Sequence, residues 1–201
     1  MPLFLNHRIN SLKELNKVHL KEGIEIDVRD YKNKIVLSHD PFNNGELFDK
    51  FLKKIKNRMT ILNVKSFGLI NLILKKTKKK NNFFFLDLCF SEIDKMIKLG
   101  FSNKIVLRFS KYEKFDLKNK SFKNIKWIWY DYFDEKIISK SDYLYIKRNK
   151  KKICIVSPDL LGAKKEKVLK FIKYLNKNKF KIEAICTKNN FIKYWKENYK
   201  F

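Results

Sequence analysis

Eight short, β-rich apolar runs recur along the chain with helix-like stretches between them, and no other feature limits the fold so tightly. The runs are Leu3–Arg8, Ile24–Arg29, Thr60–Lys65, Phe83–Leu88, Lys104–Phe109, Lys126–Asp131, Lys152–Ser157 and Lys181–Thr187. Each is almost continuously hydrophobic, the pattern of parallel strands covered on both faces by helices. Helical spacing of apolar residues is read over Leu47–Lys56, Leu69–Lys79, Glu92–Leu99, Lys164–Asn176 and Asn190–Asn198. Ser11 and Glu14 form a capping-box pattern that opens a first helix, expected to run to near Gly23. The connections 110–125 and 132–151 give weaker signals.

Eight β/α repeats predict an α/β fold, a compact (β/α)8 TIM barrel filling residues 1–201 as a single domain; a doubly wound open sheet is the alternative. At 201 residues the loops of such a barrel must be short. No glycine-rich phosphate loop is present, and the five glycines stand near element ends.

Charge enters next, because 47 Lys+Arg face 21 Asp+Glu, a formal net charge of +26. Only five of the cations are arginines, whereas nucleic-acid surfaces favour the planar, multi-donor arginine fork. The lysines are scattered from Lys13 to Lys200, and the aromatics sit within apolar strands rather than between exposed cations. No nucleic-acid partner is expected. The runs Lys75–Lys80 and Lys147–Lys152 are expected to be solvated helix ends or loops. With 44% hydrophobic residues the chain is too apolar for disorder. No segment approaches the roughly 20 apolar residues of a membrane span. Cys89, Cys154 and Cys186 form no CxxC pair, which suits reduced packing residues in the cytoplasm.

In a barrel of this kind the chemistry collects at the C-terminal strand ends. The first strand ends in His7-Arg8. The second carries Glu25-Ile26-Asp27, whose alternation puts both carboxylates on one face. Such a pair is either a solvated strand end met by arginines or the oxygen site of a hard divalent ion, Mg²⁺ or Ca²⁺. Asp30–Lys34 reads as a turn. A hairpin over residues 24–39, centred near Asn33, brings Asp27 roughly opposite His39. Two histidines and two carboxylates at one mouth can supply acid, base and metal site. Arg108 stands at a later strand end, where it could grip a second anionic group. Trp129 and Asp131 are possible substrate contacts, with packing as the alternative for Trp129. Ser157 and Thr187 also stand at strand ends round the mouth, with barrel hydrogen bonding as the alternative to a site role, and His19 reads as a surface or packing residue of the first helix.

His7-Arg8, Glu25-x-Asp27 and His39-Asp40, in that order, resemble the signature of glycerophosphodiester phosphodiesterases and the wider phospholipase-C-like phosphodiesterase superfamily. The segments His39–Phe42, Leu62–Ser66, Phe84–Asp87, Val106–Ser110, Val156–Leu160 and Ile185–Lys188 resemble short homologues linked to bacterial surface-polysaccharide biosynthesis. The resemblance implies a metal-dependent hydrolase of small polyol or sugar phosphodiesters. It implies His7 and His39 as paired acid and base, Glu25 and Asp27 as ligands of one Mg²⁺ or Ca²⁺, and Arg8 and Lys65 as phosphate contacts. The acidic ligand usual two residues before that lysine is replaced by Asn63, whose amide oxygen can still ligate; Asp87 is the other candidate to complete the site. Two alternatives remain: a catalytically altered barrel that binds a phosphorylated glycan intermediate, and a basic nucleic-acid or membrane-surface protein.

Overall fold

The computed structural model describes residues 1–77, 82–135 and 137–200. Lys78–Lys80 of the first charge run, and the last two residues of the helix expected over Leu69–Lys79, lie outside the described residues. In chain order the elements are β1 (Leu3–Asn6), α1 (Leu12–Leu15), β2 (Gly23–Tyr31), β3 (Lys34–Leu37), β4 (Glu46–Leu47), α2 (Phe48–Lys54), β5 (Thr60–Val64), α3 (Ile70–Thr77) and β6 (Phe83–Leu86). There follow α4 (Phe90–Lys98), β7 (Val106–Phe109), β8 (Trp127–Tyr130), α5 (Lys140–Arg148), β9 (Lys152–Val156), α6 (Lys165–Lys177), β10 (Ala184–Thr187) and α7 (Asn189–Asn198). Single 3₁₀ turns fill several connections. The fold is mixed α/β, and its eight long-range strands fall on the eight apolar runs.

The chain forms two compact units, Arg8–Ile105 and Met1–His7 with Val106–Phe201. In the first, β2, β5 and β6 pair in parallel, with Asp27 beside Asn63 and Asn63 beside Leu86. Strand β3 runs antiparallel to β2, and β4 antiparallel to β3. Every residue of β5 is buried, as its position between two strands and beneath helices demands. Gly45 has a specific role, because a Cβ there would lie 2.1 Å from the Leu37 carbonyl oxygen. Only glycine lets the loop after His39 return so close to β3.

The hairpin differs from its expected register by one residue. Val28 pairs with Leu37 and Tyr31 with Lys34, and the Ser38 N–H donates to the Asp27 carbonyl at 3.2 Å. Ser38, not His39, therefore stands opposite Asp27. The turn residues are Lys32 and Asn33, both with positive φ, the conformation of a two-residue hairpin turn.

Helix α1 also ends earlier than its pattern implied. Ser11 Oγ accepts from the Glu14 N–H and caps the helix as expected, while Glu14 Oε2 accepts from the Ser11 hydroxyl and the Asn10 N–H rather than from the Ser11 N–H. The helix nevertheless stops at Leu15. Beyond it, Val18 N–H turns back to Leu15 and the His19 imidazole accepts from the Lys21 N–H, local bonds that compete with helix continuation.

In the second unit β1, β10, β9, β8 and β7 pair in parallel in that order. Its core holds a closed polar network. Asp159, 1% exposed, accepts from the Ser157 and Thr187 hydroxyls and from the Lys188 N–H, the cap of α7; Trp195 Nε1 donates to Ser157 Oγ. The strand-end roles read for Ser157 and Thr187 are found here as buried hydrogen bonds. Removing the carboxylate strands three donors at once. Asp159→Ala is expected to destabilise the protein by about 3–5 kcal/mol, measurable as a fall in the urea midpoint, whereas Asp159→Asn should lose roughly half as much because its amide oxygen still accepts.

Lys151 is a second buried polar anchor. Its Nζ donates to the carbonyl oxygens of Phe122, Ile125 and Lys123. Burial, with the nearby Lys126 charge as a smaller cause, lowers its affinity for the proton.

Candidate active site

The first unit gathers Arg8, Glu25, Asp27, His39, Asn63, Lys65 and Asp87. Glu25 and Asp27 point the same way from β2, and each is fully buried. Parallel register places Asn63 beside Asp27. Lys65 follows β5 and sets its Nζ 3.5 Å from Asp27 Oδ1 and 3.7 Å from Asp87 Oδ2. Asp87 reaches that ammonium because the chain turns sharply past β6, with φ +61°.

Arg8 is the other non-glycine residue of the cluster in the left-handed region, with φ +53°. This conformation is costly for a side-chain-bearing residue and concentrates at functional sites. It aims the Arg8 N–H at Glu25 Oε2, 2.8 Å away, and its guanidinium at His39.

Burial pushes the Glu25 carboxyl up to about 7 from its ordinary 4.5, and the negative charge of Asp27 adds to the effect. The Arg8 N–H, the Asn63 side chain and Lys65 oppose the rise. Asp27 is held by Asn10, whose Nδ2 donates to Asp27 Oδ2 at 2.9 Å while its Oδ1 accepts from the Asp27 N–H at 2.8 Å. Sequence reasoning did not single out Asn10. The available signal was an amide, donor and acceptor together, three residues past His7 on a segment returning to β2.

His39 forms a directional relay. Arg8 Nη2 lies 2.7 Å from His39 Nε2, and His39 Nδ1 lies 2.7 Å from Asp40 Oδ1. A guanidinium can only donate, so Nε2 is the acceptor and Nδ1 carries the proton toward Asp40. The hydrogen bond from His39 holds the Asp40 carboxyl below its ordinary range. This is the orientation logic of a carboxylate–imidazole base: Nε2 keeps a lone pair at a half-exposed position, and its ring is fixed by a neighbour. Arg29 Nη2 donates to the His39 carbonyl at 3.1 Å and steadies the same loop.

Could these residues hold a divalent cation? Two buried oxygens, Asp27 Oδ1 and Asn63 Oδ1, have no hydrogen-bond donor among the described residues, although Lys65 faces the first. Both project from paired positions beside a second buried carboxylate, a hard-oxygen set suited to Mg²⁺ or Ca²⁺. Among the described residues no three His, Cys, Asp or Glu side chains are arranged as a metal centre by themselves, so Asn63 is needed for the set to work.

Two loops and the start of α4, close in sequence to these residues, carry strongly exposed phenylalanines. Phe42 lies three residues after His39, Phe67 two after Lys65 and Phe90 three after Asp87, at 90%, 75% and 68% exposure.

The remaining sequence candidates lie in the second unit or at its edge. His7 follows β1, and its N–H donates to the Thr187 carbonyl at 3.2 Å. Arg108 pairs with Asp131, so its guanidinium faces a carboxylate. Trp129 Nε1 donates to Asp131 Oδ1 at 3.3 Å, and the indole is buried. The three form one clamp across β7 and β8.

The fold has known counterparts. It is similar to a solved protein from Galdieria sulphuraria assigned as a candidate glycerophosphodiester phosphodiesterase, with a TM-score of 0.66 and 13% identity over 93% of this chain and 94% of the other. It is also similar to a glycerophosphoryl diester phosphodiesterase from Parabacteroides distasonis, with a TM-score of 0.54 and 12% identity over 94% and 83%. The likeness is one of fold. No protein-family model matches the chain, and no curated protein matches it. No helix among the described residues is long and apolar enough to cross a membrane.

Proposed function

We propose that the chain is a phosphodiester hydrolase acting on a small polyol or sugar phosphodiester, its eight parallel strands read as one (β/α)8 barrel. The observation that carries this is the Arg8–His39–Asp40 relay beside the buried Glu25, Asp27 and Asn63 oxygens. The fold likeness to glycerophosphodiester phosphodiesterases supports it.

In this reading Arg8 and Lys65 bind the phosphate, which draws Arg8 from His39 and bares Nε2. His39 takes the proton of a neighbouring substrate hydroxyl as that oxygen attacks phosphorus. The bond from phosphorus to the leaving alcohol breaks, and His7, one residue before Arg8, protonates the departing oxygen. Water then opens the cyclic phosphate with the two roles reversed. Glu25, Asp27 and Asn63 would hold one Mg²⁺ or Ca²⁺, with Asp87 in reserve; the ion, when bound, neutralises phosphate charge. Phe42, Phe67 and Phe90 offer apolar contact to the alcohol portion. A cytoplasmic surface-polysaccharide intermediate fits the sequence resemblance.

A second reading, a binding protein for a phosphorylated glycan, is favoured by the neutral Asn63 where a carboxylate is usual. Titration with Mg²⁺ or Ca²⁺ followed by turnover of a glycerophosphodiester, which carries the neighbouring hydroxyl, separates the two. The hydrolase reading expects ion-dependent product release. Ion binding without turnover supports the binding protein.

A further inference from the structure

Two stretches of the second unit carry no acidic residue. None stands between Asp116 and Asp131, and none between Asp142 and Asp159. The fold brings these stretches together at the N-terminal ends of β8 and β9, where they line an open cavity of about 350 Å³. Lys118, Lys120, Lys123 and Lys126 line it from one side, Arg148, Lys150 and Lys151 from the other, with the Asn119 and Asn149 amides between.

Among the described residues no carboxylate lines this cavity. The whole chain has 47 cations to 21 carboxylates, so seven cations taken at that ratio would bring about three carboxylates. A second, larger groove of the same unit, about 620 Å³, follows the ratio, with Lys164, Lys167 and Lys170 set against Glu135 and Glu166. General lysine enrichment therefore accounts for the larger groove and not for the smaller one. One wall is rigid, since Lys151 is fixed by three carbonyl oxygens.

We propose that this cavity is a binding site for a compact polyphosphate anion, such as a diphosphate or triphosphate group. Six exposed cations converge on a volume at the small end of ligand pockets, which suits several phosphate charges close together. Five are lysines, point charges that need no planar partner. Among the described residues no aromatic side chain lines the space, so stacking, which single-stranded nucleic acid uses, has no platform there. The cavity belongs to the second unit, whereas Arg8 and Lys65 belong to the first.

The test is calorimetric titration of the full chain with inorganic tripolyphosphate at constant ionic strength. Saturable one-to-one binding is expected, at least tenfold tighter than inorganic phosphate. The double variant Lys120→Glu/Lys150→Glu should weaken it at least tenfold. Lys173→Glu/Lys177→Glu, with the same change of net charge on α6, should alter it less than twofold. Equal losses in both variants would show a diffuse field and overturn the site. So would an absence of saturation, or tighter binding of a single-stranded oligonucleotide or an anionic vesicle at these same lysines.

Discussion

His39→Ala is expected to lower turnover of a soluble phosphodiester on the order of 10²–10⁴-fold while changing folding stability by less than about 1 kcal/mol. Both halves come from geometry. The side chain is 39% exposed and contributes little packing. Its Nε2, however, is the atom that Arg8 holds and that phosphate binding would release. Asp40→Asn should cost less, about tenfold, because it weakens the bond that keeps the proton on Nδ1 without removing the base. Steady-state rates and urea midpoints on the same preparations check this. A fall in rate that merely tracks a loss of folded protein contradicts the assigned role.

The second large effect concerns pH. Glu25 is pushed up to about 7 in the folded chain, first by burial and then by Asp27, against an ordinary 4.5. A carboxyl raised in this way favours the fold in its protonated form. Its contribution is fully present below about pH 4.5 and is lost as pH rises through about 7. Without divalent ions, the stability of the wild type should therefore fall by the order of 3 kcal/mol between pH 5 and pH 8. Glu25→Gln, which is neutral throughout, should flatten that slope. Mg²⁺ or Ca²⁺ added at pH 8 should restore much of the lost stability to the wild type and little to the variant. Urea unfolding at pH 5, 6.5 and 8 reads all three, and parallel wild-type and variant curves would refute the assignment.

Much of the fold was legible because parallel strands announce themselves as apolar runs, as Thr60–Val64 and Phe83–Leu86 do. The Glu25, Asp27 and Asn63 set was legible for a related reason: alternation fixes which side chains share a face, and register then joins the strands. What escaped depended on single backbone decisions. The hairpin slipped by one residue because its turn uses Lys32 and Asn33 rather than centring on Asn33. The positive φ of Arg8 and of Asp87, which aims each side chain, has no glycine to mark it. Asn10 was hidden because its partnership with Asp27 spans 17 residues. That Arg108, Trp129 and Asp131 meet in one cluster could not be read from residue type alone.

Phosphodiester hydrolysis is tested most directly by ³¹P NMR of a glycerophosphodiester incubated with the full chain and Mg²⁺ or Ca²⁺. Conversion of the diester resonance to a phosphomonoester by the wild type, absent with His39→Ala and with Asp27→Ala, is the predicted result. A diester signal that persists with the wild type under every ion, or that disappears equally with His39→Ala, contradicts the account.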